Sequence, residues 1–107
     1  MNRKGMVYYK NILAGSIEQT EDGFLFTYNN DYSENHNIPV SLTLPVRKEP
    51  YISKFMFPFF DGLIPEGWLL EITEKKWKVD RRDRMGLLLA VCKDCIGAVG
   101  IIPEEQK

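Results

Sequence analysis

The chain has 107 residues, 44% hydrophobic and 27% charged, with a formal net charge of −1. That balance gives one soluble globular domain over residues 1–107, and it excludes intrinsic disorder. No apolar run approaches the ~18 residues of a membrane span, no apolar signal core follows Met1-Asn2-Arg3-Lys4, and the near-zero net charge supplies no field to draw nucleic acid or a membrane surface. The expected location is the cytoplasm, where Cys92 and Cys95 stay reduced.

In chain order, a β-meander comes first. Met6-Val7-Tyr8-Tyr9 reads as a strand and Lys10-Asn11 as a two-residue turn. Ile12–Gln19 is a second strand, weakened at Ala14 and Gly15. Thr20-Glu21-Asp22-Gly23 carries the Asp-Gly hairpin signal, and Phe24–Tyr28 is a third strand. The two-residue period puts Phe24, Phe26 and Tyr28 on one face. Asn29–Pro39 is polar and reads as a loop. Val40-Ser41-Leu42-Thr43-Leu44 alternates cleanly and is the expected fourth strand, ended by Pro45.

Phe57–Leu70 is the most unusual stretch. It holds three Phe, one Trp, two Pro and two Gly in fourteen positions. Gly and Pro impose special backbone angles, while the aromatic rings demand burial or a partner. The segment is either a packed internal loop, with a short helical turn near Pro58–Asp61, or a docking surface. Pro65-Glu66 suits a helix start, and the helix is expected to run to about Lys78. A second helix is expected from an Asp80 N-cap, with Met85, Leu88, Leu89 and Cys92 at the spacing of a buried face. Ala98–Ile102 is a closing strand. The class is α+β: a small, partly closed antiparallel β-sheet packed against two helices.

No catalytic constellation emerges. Gly62 and Gly67 have the outer spacing of a phosphate loop, but Trp68 and Leu69 stand where Lys and Ser/Thr are required. Cys92-Lys93-Asp94-Cys95 is two ligands short of a structural zinc site. It also closes a helix, where the dipole opposes a reactive thiolate. His36, the only histidine, lies in the polar loop. Residues 71–84 hold six Lys/Arg against four acids, and a solvated helix face accounts for them. No cofactor or metal is expected.

Wound at about 100° per residue, residues 66–78 gather Leu69, Leu70, Thr73 and Trp77 on one side. Trp68 falls roughly 150° from that stripe, with Ile72 between the two directions. Either the Phe-rich loop covers Trp68 or the indole anchors a partner, since Trp is enriched in interface hot spots.

Three separated runs carry a family resemblance: Leu44-Pro45-Val46-Arg47, then Phe59-Phe60-Asp61-Gly62-Leu63-Ile64-Pro65-Glu66-Gly67, then Asp94-Cys95-Ile96-Gly97-Ala98-Val99. Together they resemble the N-terminal subdomain of HipA-type serine/threonine kinases, the toxins of bacterial toxin–antitoxin systems. The similarity spans Val7 to Pro103. In that family the ATP loop, catalytic Asp and metal ligands follow this subdomain, so 107 residues are expected to be no enzyme. The resemblance implies a HipS-like antitoxin of a HipBST arrangement. Such a protein binds and inhibits a HipT-like kinase, with a HipB-like helix-turn-helix protein as a possible third component.

Its implied contact surface is Phe59, Phe60, Asp61, Pro65, Glu66, Trp68 and Ile72, led by Trp68. Two departures from the family pattern stand out. Trp68-Leu69 replaces a more polar continuation, and Cys92 stands where a small residue is common. Two rival readings remain. One is an accessory subunit that stabilises the kinase or links it to a DNA-binding partner without inhibiting it. The other is a small nucleic-acid-binding module using Lys75–Arg84.

Overall fold

The hairpin signals produce a five-stranded antiparallel sheet in a computed structural model of the chain, in which residues 3–64, 70–71, 74–76, 78–91 and 99–104 are described. Strands β1 (Lys4–Tyr9), β2 (Ile12–Thr20) and β3 (Gly23–Tyr28) form the expected meander. Lys10 and Asn11 both have positive φ, 50° and 67°, the backbone a two-residue hairpin turn requires. Helix α1 (Asn30–Asn35) follows, then β4 (Tyr51–Ser53), α2 (Pro58–Asp61), α3 (Arg84–Val91) and β5 (Val99–Pro103). Residues 70–71 and 74–76 are also helical, within the helix expected before Lys78. Lys78 itself takes a left-handed φ of 55°, which cannot continue a helix.

The strand order is β4-β3-β2-β1-β5. The α+β class and the antiparallel sheet are as expected, but the sheet is open, not partly closed, with β4 and β5 at its edges. The last strand crosses back to pair with the first, Val7 opposite Ile101. Ala14 and Gly15 do not merely weaken β2. Val7 faces Gly15 and Tyr8 faces Leu13, so Ala14 is an extra residue in a β-bulge. Its carbonyl accepts the Asn29 N–H at 2.7 Å, tying the start of α1 to the sheet.

One face of the sheet is the core floor. Val7, Ile17, Phe26, Tyr28 and Ile101 meet Met85, Leu87 and Leu88 of α3, with Phe60 and Ile64 beside them. Burial of Met85 and Leu88 agrees with the helical spacing read from the sequence. Cys92 of that stripe lies outside the described residues, as do Cys95 and Trp77.

Three sequence expectations fail for tertiary reasons. Val40–Leu44 is not a strand: it holds a single bridge, Ser41 to Leu44, inside a tight turn. The fourth strand is instead Tyr51–Ser53, paired with Phe24–Phe26. The polar stretch after Asn29 is not all loop, because buried Tyr32 anchors α1. The second helix starts later than Asp80, because Asp83 is the residue whose carboxylate accepts an N–H from its first turn, Gly86 at 3.1 Å. Asp80 accepts from the Arg82 N–H instead, closing a turn ahead of the helix.

Candidate functional site

Pro58 sits in the first turn of α2, where its missing N–H costs nothing. Phe57 precedes it in extended backbone, and its carbonyl accepts the Asp61 N–H at 2.9 Å. One further turn follows, with Leu63 donating to the Phe60 carbonyl and Ile64 to that of Asp61. These bonds fix which way each side chain points. Phe60 is 0% exposed and packs against Phe26, Phe57 and Phe59 at ring separations of 5.3, 6.2 and 5.1 Å. Phe57 and Ile64 are buried, and Phe59 and Leu63 are half-buried against the same cluster. The described part of the segment is therefore a packed wedge. Phe60 has no surface to offer a partner, and Phe59 keeps part of its own.

Asp61 points the other way. Its carboxylate accepts from Arg84 Nε at 2.6 Å, which ties α2 to the first residue of α3. Arg84 also donates to the Arg81 carbonyl. Arg81 in turn pairs with Glu74 of the preceding helical stretch at 2.9 Å. The hydrogen bonds from Arg81 hold the Glu74 carboxyl below its usual range. Asp61 is thus one end of two ion pairs, linked through the Arg81 carbonyl, that join three helical segments, and its side chain remains half-exposed. Pro65, Glu66, Trp68 and Ile72 lie outside the described residues, so the structure gathers only Phe59, Phe60 and Asp61 of the expected surface.

Large apolar side chains are exposed elsewhere. Phe55 is 79% exposed, Ile52 77% and Leu42 91%. Phe55 was not legible: in the apolar run Phe55-Met56-Phe57 the two-residue period would put Phe55 and Phe57 on one side, opposite Met56. Met56 and Phe57 are the buried pair. Leu42 left no signal either, because its alternation with Val40 and Leu44 pointed it inward. Among the described residues no group of His, Cys, Asp and Glu could hold a metal ion, and no helix is long and apolar enough to cross a membrane.

The sequence matches the HipA N-terminal domain family over residues 5–102. The chain belongs to that family. An uncharacterized protein of Haemophilus influenzae is 36% identical over 104 residues, covering 97% of this chain and 95% of its own length. A putative kinase of Sinorhizobium fredii is 30% identical over 103 residues, covering 94% of this chain but only 24% of its own length. A solved structure described as the N-terminal domain of HipA toxin superposes with a TM-score of 0.77 at 33% identity. That superposition covers 98% of this chain and 95% of the solved one. The likeness is thus to one domain of the HipA system, and about three quarters of the putative kinase lies beyond the matched region.

Proposed function

We propose that this HipA N-terminal domain protein is an antitoxin that binds a HipA- or HipT-type serine/threonine kinase and blocks it, contributing no catalytic group of its own. The observation that supports this reading most is a relation of lengths. The same domain makes up nearly all of a Haemophilus protein and about a quarter of a putative kinase. A surface suited to a kinase body can therefore act across two chains. The contact is the α2 wedge and the residues after it. Phe60 holds the wedge rigid from inside. Phe59, Asp61, Pro65, Glu66 and Ile72 form the surround, and Trp68 is the principal side chain. An indole is the residue type best able to supply apolar area and a hydrogen bond from one position. A HipB-like helix-turn-helix protein would complete a ternary complex, with no direct nucleic-acid contact from this chain and no membrane.

The test is co-expression with the kinase alone. Growth rescue without a DNA-binding partner is expected, and Trp68→Ala is expected to abolish it and weaken binding at least tenfold. Unchanged binding and rescue in Trp68→Ala would sink the assignment of Trp68. The accessory-subunit reading draws on one observation: in the Sinorhizobium protein the domain occurs within a putative kinase. It predicts binding without rescue in the same experiment.

A further inference from the structure

The basic stretch Lys75–Arg84 reads from the sequence as a solvated face, yet its arginines are occupied. Arg81 makes three bonds to the Glu74 carboxylate: its backbone N–H donates to Oε2 at 3.0 Å, Nε to Oε2 at 3.3 Å and Nη2 to Oε1 at 2.9 Å. Arg84 Nε donates to Asp61 Oδ1 at 2.6 Å. Arg84 Nη1 donates to the Arg81 carbonyl at 3.0 Å, so the two arginines are also fixed to each other. Arg82 stands between them in sequence. Its side chain is 90% exposed and reaches Asp80 of its own turn at 3.4 Å.

The base that carries these arginines is itself anchored. The Arg82 N–H donates to Asp80 Oδ1 at 2.8 Å and the Asp83 N–H to the Asp80 carbonyl at 2.9 Å, which closes the turn. Arg3 holds Asp83 at 2.6 Å and grips Gln19 of β2 at 2.8 Å, which ties the turn to the sheet. From that base the two contacts bracket one segment. Asp61 ends α2, and Glu74 lies in the helical stretch 74–76. Pro65, Glu66, Trp68 and Ile72 all fall between them in sequence. An exposed ion pair adds little stability. A forked guanidinium–carboxylate contact fixes direction as well as distance, however. Holding both ends of a segment at set points removes conformations that binding would otherwise have to remove.

We propose that Arg81 and Arg84 are positioning residues for kinase binding: a two-point clamp that sets the ends of the docking segment between Asp61 and Glu74 without touching the kinase. This rests on the kinase-binding reading above. Arg81, Arg82 and Arg84 each face a carboxylate of this chain, so the basic stretch serves internal partners and not a phosphate backbone.

The experiment measures binding of the full chain and its Glu74→Gln, Arg81→Gln, Arg84→Gln and Arg82→Gln variants to the kinase encoded in the adjacent reading frame, below the melting range of every variant. Glu74→Gln separates a clamp from a contact, because it breaks the clamp and leaves Arg81 free to meet a partner. The expected result is a loss of about three- to fivefold in Glu74→Gln, in Arg81→Gln and in the variant carrying both, near the most that an exposed ion pair supplies. Arg84→Gln should lose as much, and Arg82→Gln, which removes the same charge from the same turn, less than about 1.5-fold. In the free chain, hydrogen exchange at the Arg81 amide should quicken in Glu74→Gln while the melt stays close to that of the wild type. Unchanged exchange there overturns the clamp whatever the kinase does. A loss in Arg81→Gln with full binding by Glu74→Gln overturns it by making Arg81 a direct contact. Equal losses in Arg81→Gln and Arg82→Gln overturn it in favour of net charge. Full binding by all four variants overturns it and leaves the kinase reading standing. No kinase binding by the wild type overturns that reading, and this role with it.

Discussion

Asp83 joins two distant parts of the chain. Its carboxylate takes a two-pronged contact from Arg3, at 2.6 and 3.0 Å, and also accepts the Gly86 N–H that starts α3. Both interactions favour the charged form, the Arg3 hydrogen bonds most, and the Asp83 pKa is lowered from 3.8. A depressed folded-state pKa means the stabilisation is fully present above the unfolded value, near pH 4. It is lost as pH falls through the lower folded value. Asp83→Ala is therefore expected to cost about 1–2 kcal/mol at neutral pH, the usual size of a lost N-cap. Urea titrations should show the gap to wild type closing as the pH drops below about 4. Asp83→Asn, which keeps a capping oxygen, should cost less than the alanine variant. Nothing in the local pattern distinguished Asp83 from Asp80 as the cap. The choice depends on Arg3, eighty positions away. Tyr28 is a similar case: the period of two placed its ring on the core face, but the hydroxyl's two bonds to the turn at 40–44 are long-range and leave no local mark.

Elements whose partner is adjacent in sequence were the legible ones. The β1–β2 and β2–β3 hairpins rest on turn residues and alternation, and both appear with boundaries close to those read. Val40–Leu44 has equally good alternation but no neighbouring strand to pair with, so its backbone bonds to Tyr28 and to itself. β4 is only three residues long, too short for periodicity to reveal. The α2 turn was visible through Pro58, whereas the start of the helix that would carry Trp68 lies outside the described residues. Within the sheet, Gly5 and Gly15 differ in a way that predicts unequal costs. A Cβ at Gly5 would lie 2.7 Å from Leu89 Cδ2, the far end of a half-buried side chain that can rotate, and 2.9 Å from Ile101 Cγ2, the branch methyl of a stiffer side chain; both are side-chain atoms. A Cβ at Gly15 would lie 2.2 Å from the Thr27 carbonyl oxygen, which is backbone of the neighbouring strand. Gly5→Ala should cost about 1–3 kcal/mol, as ordinary overpacking does. Gly15→Ala should cost more, because it must move β3 or undo the bulge that carries α1. Chemical denaturation of the two variants ranks them, and equal midpoints would refute the backbone argument.

At the scale of the whole molecule, the last strand forms one edge of the open sheet. β5 lies beside β1, so the end of the described chain completes the floor on which α3 rests. Ile101 is fully buried between Val7 on its own sheet and the gap left by Gly5, beneath Leu89. Removing its side chain strips apolar contacts from strand and helix together, and the backbone pairing of β5 leaves little freedom to collapse into the space. A large-to-small change at such a site typically costs 2–5 kcal/mol. A domain of this size has only about 5–15 kcal/mol of total stability. Ile101→Ala is therefore expected to remove a large share of the margin, lowering the melting temperature by roughly 10 °C or more. Ile102, one residue on and on the opposite face, is 46% exposed. Ile102→Ala should shift the melt by far less, although it alters the same strand and the same residue type. If kinase binding depends on the wedge being held rigid, Ile101→Ala should lose affinity only near its own melting range. Its affinity at low temperature should equal that of Ile102→Ala. A loss of affinity at low temperature in Ile101→Ala alone would mean instead that β5 and α3 shape the docking surface directly.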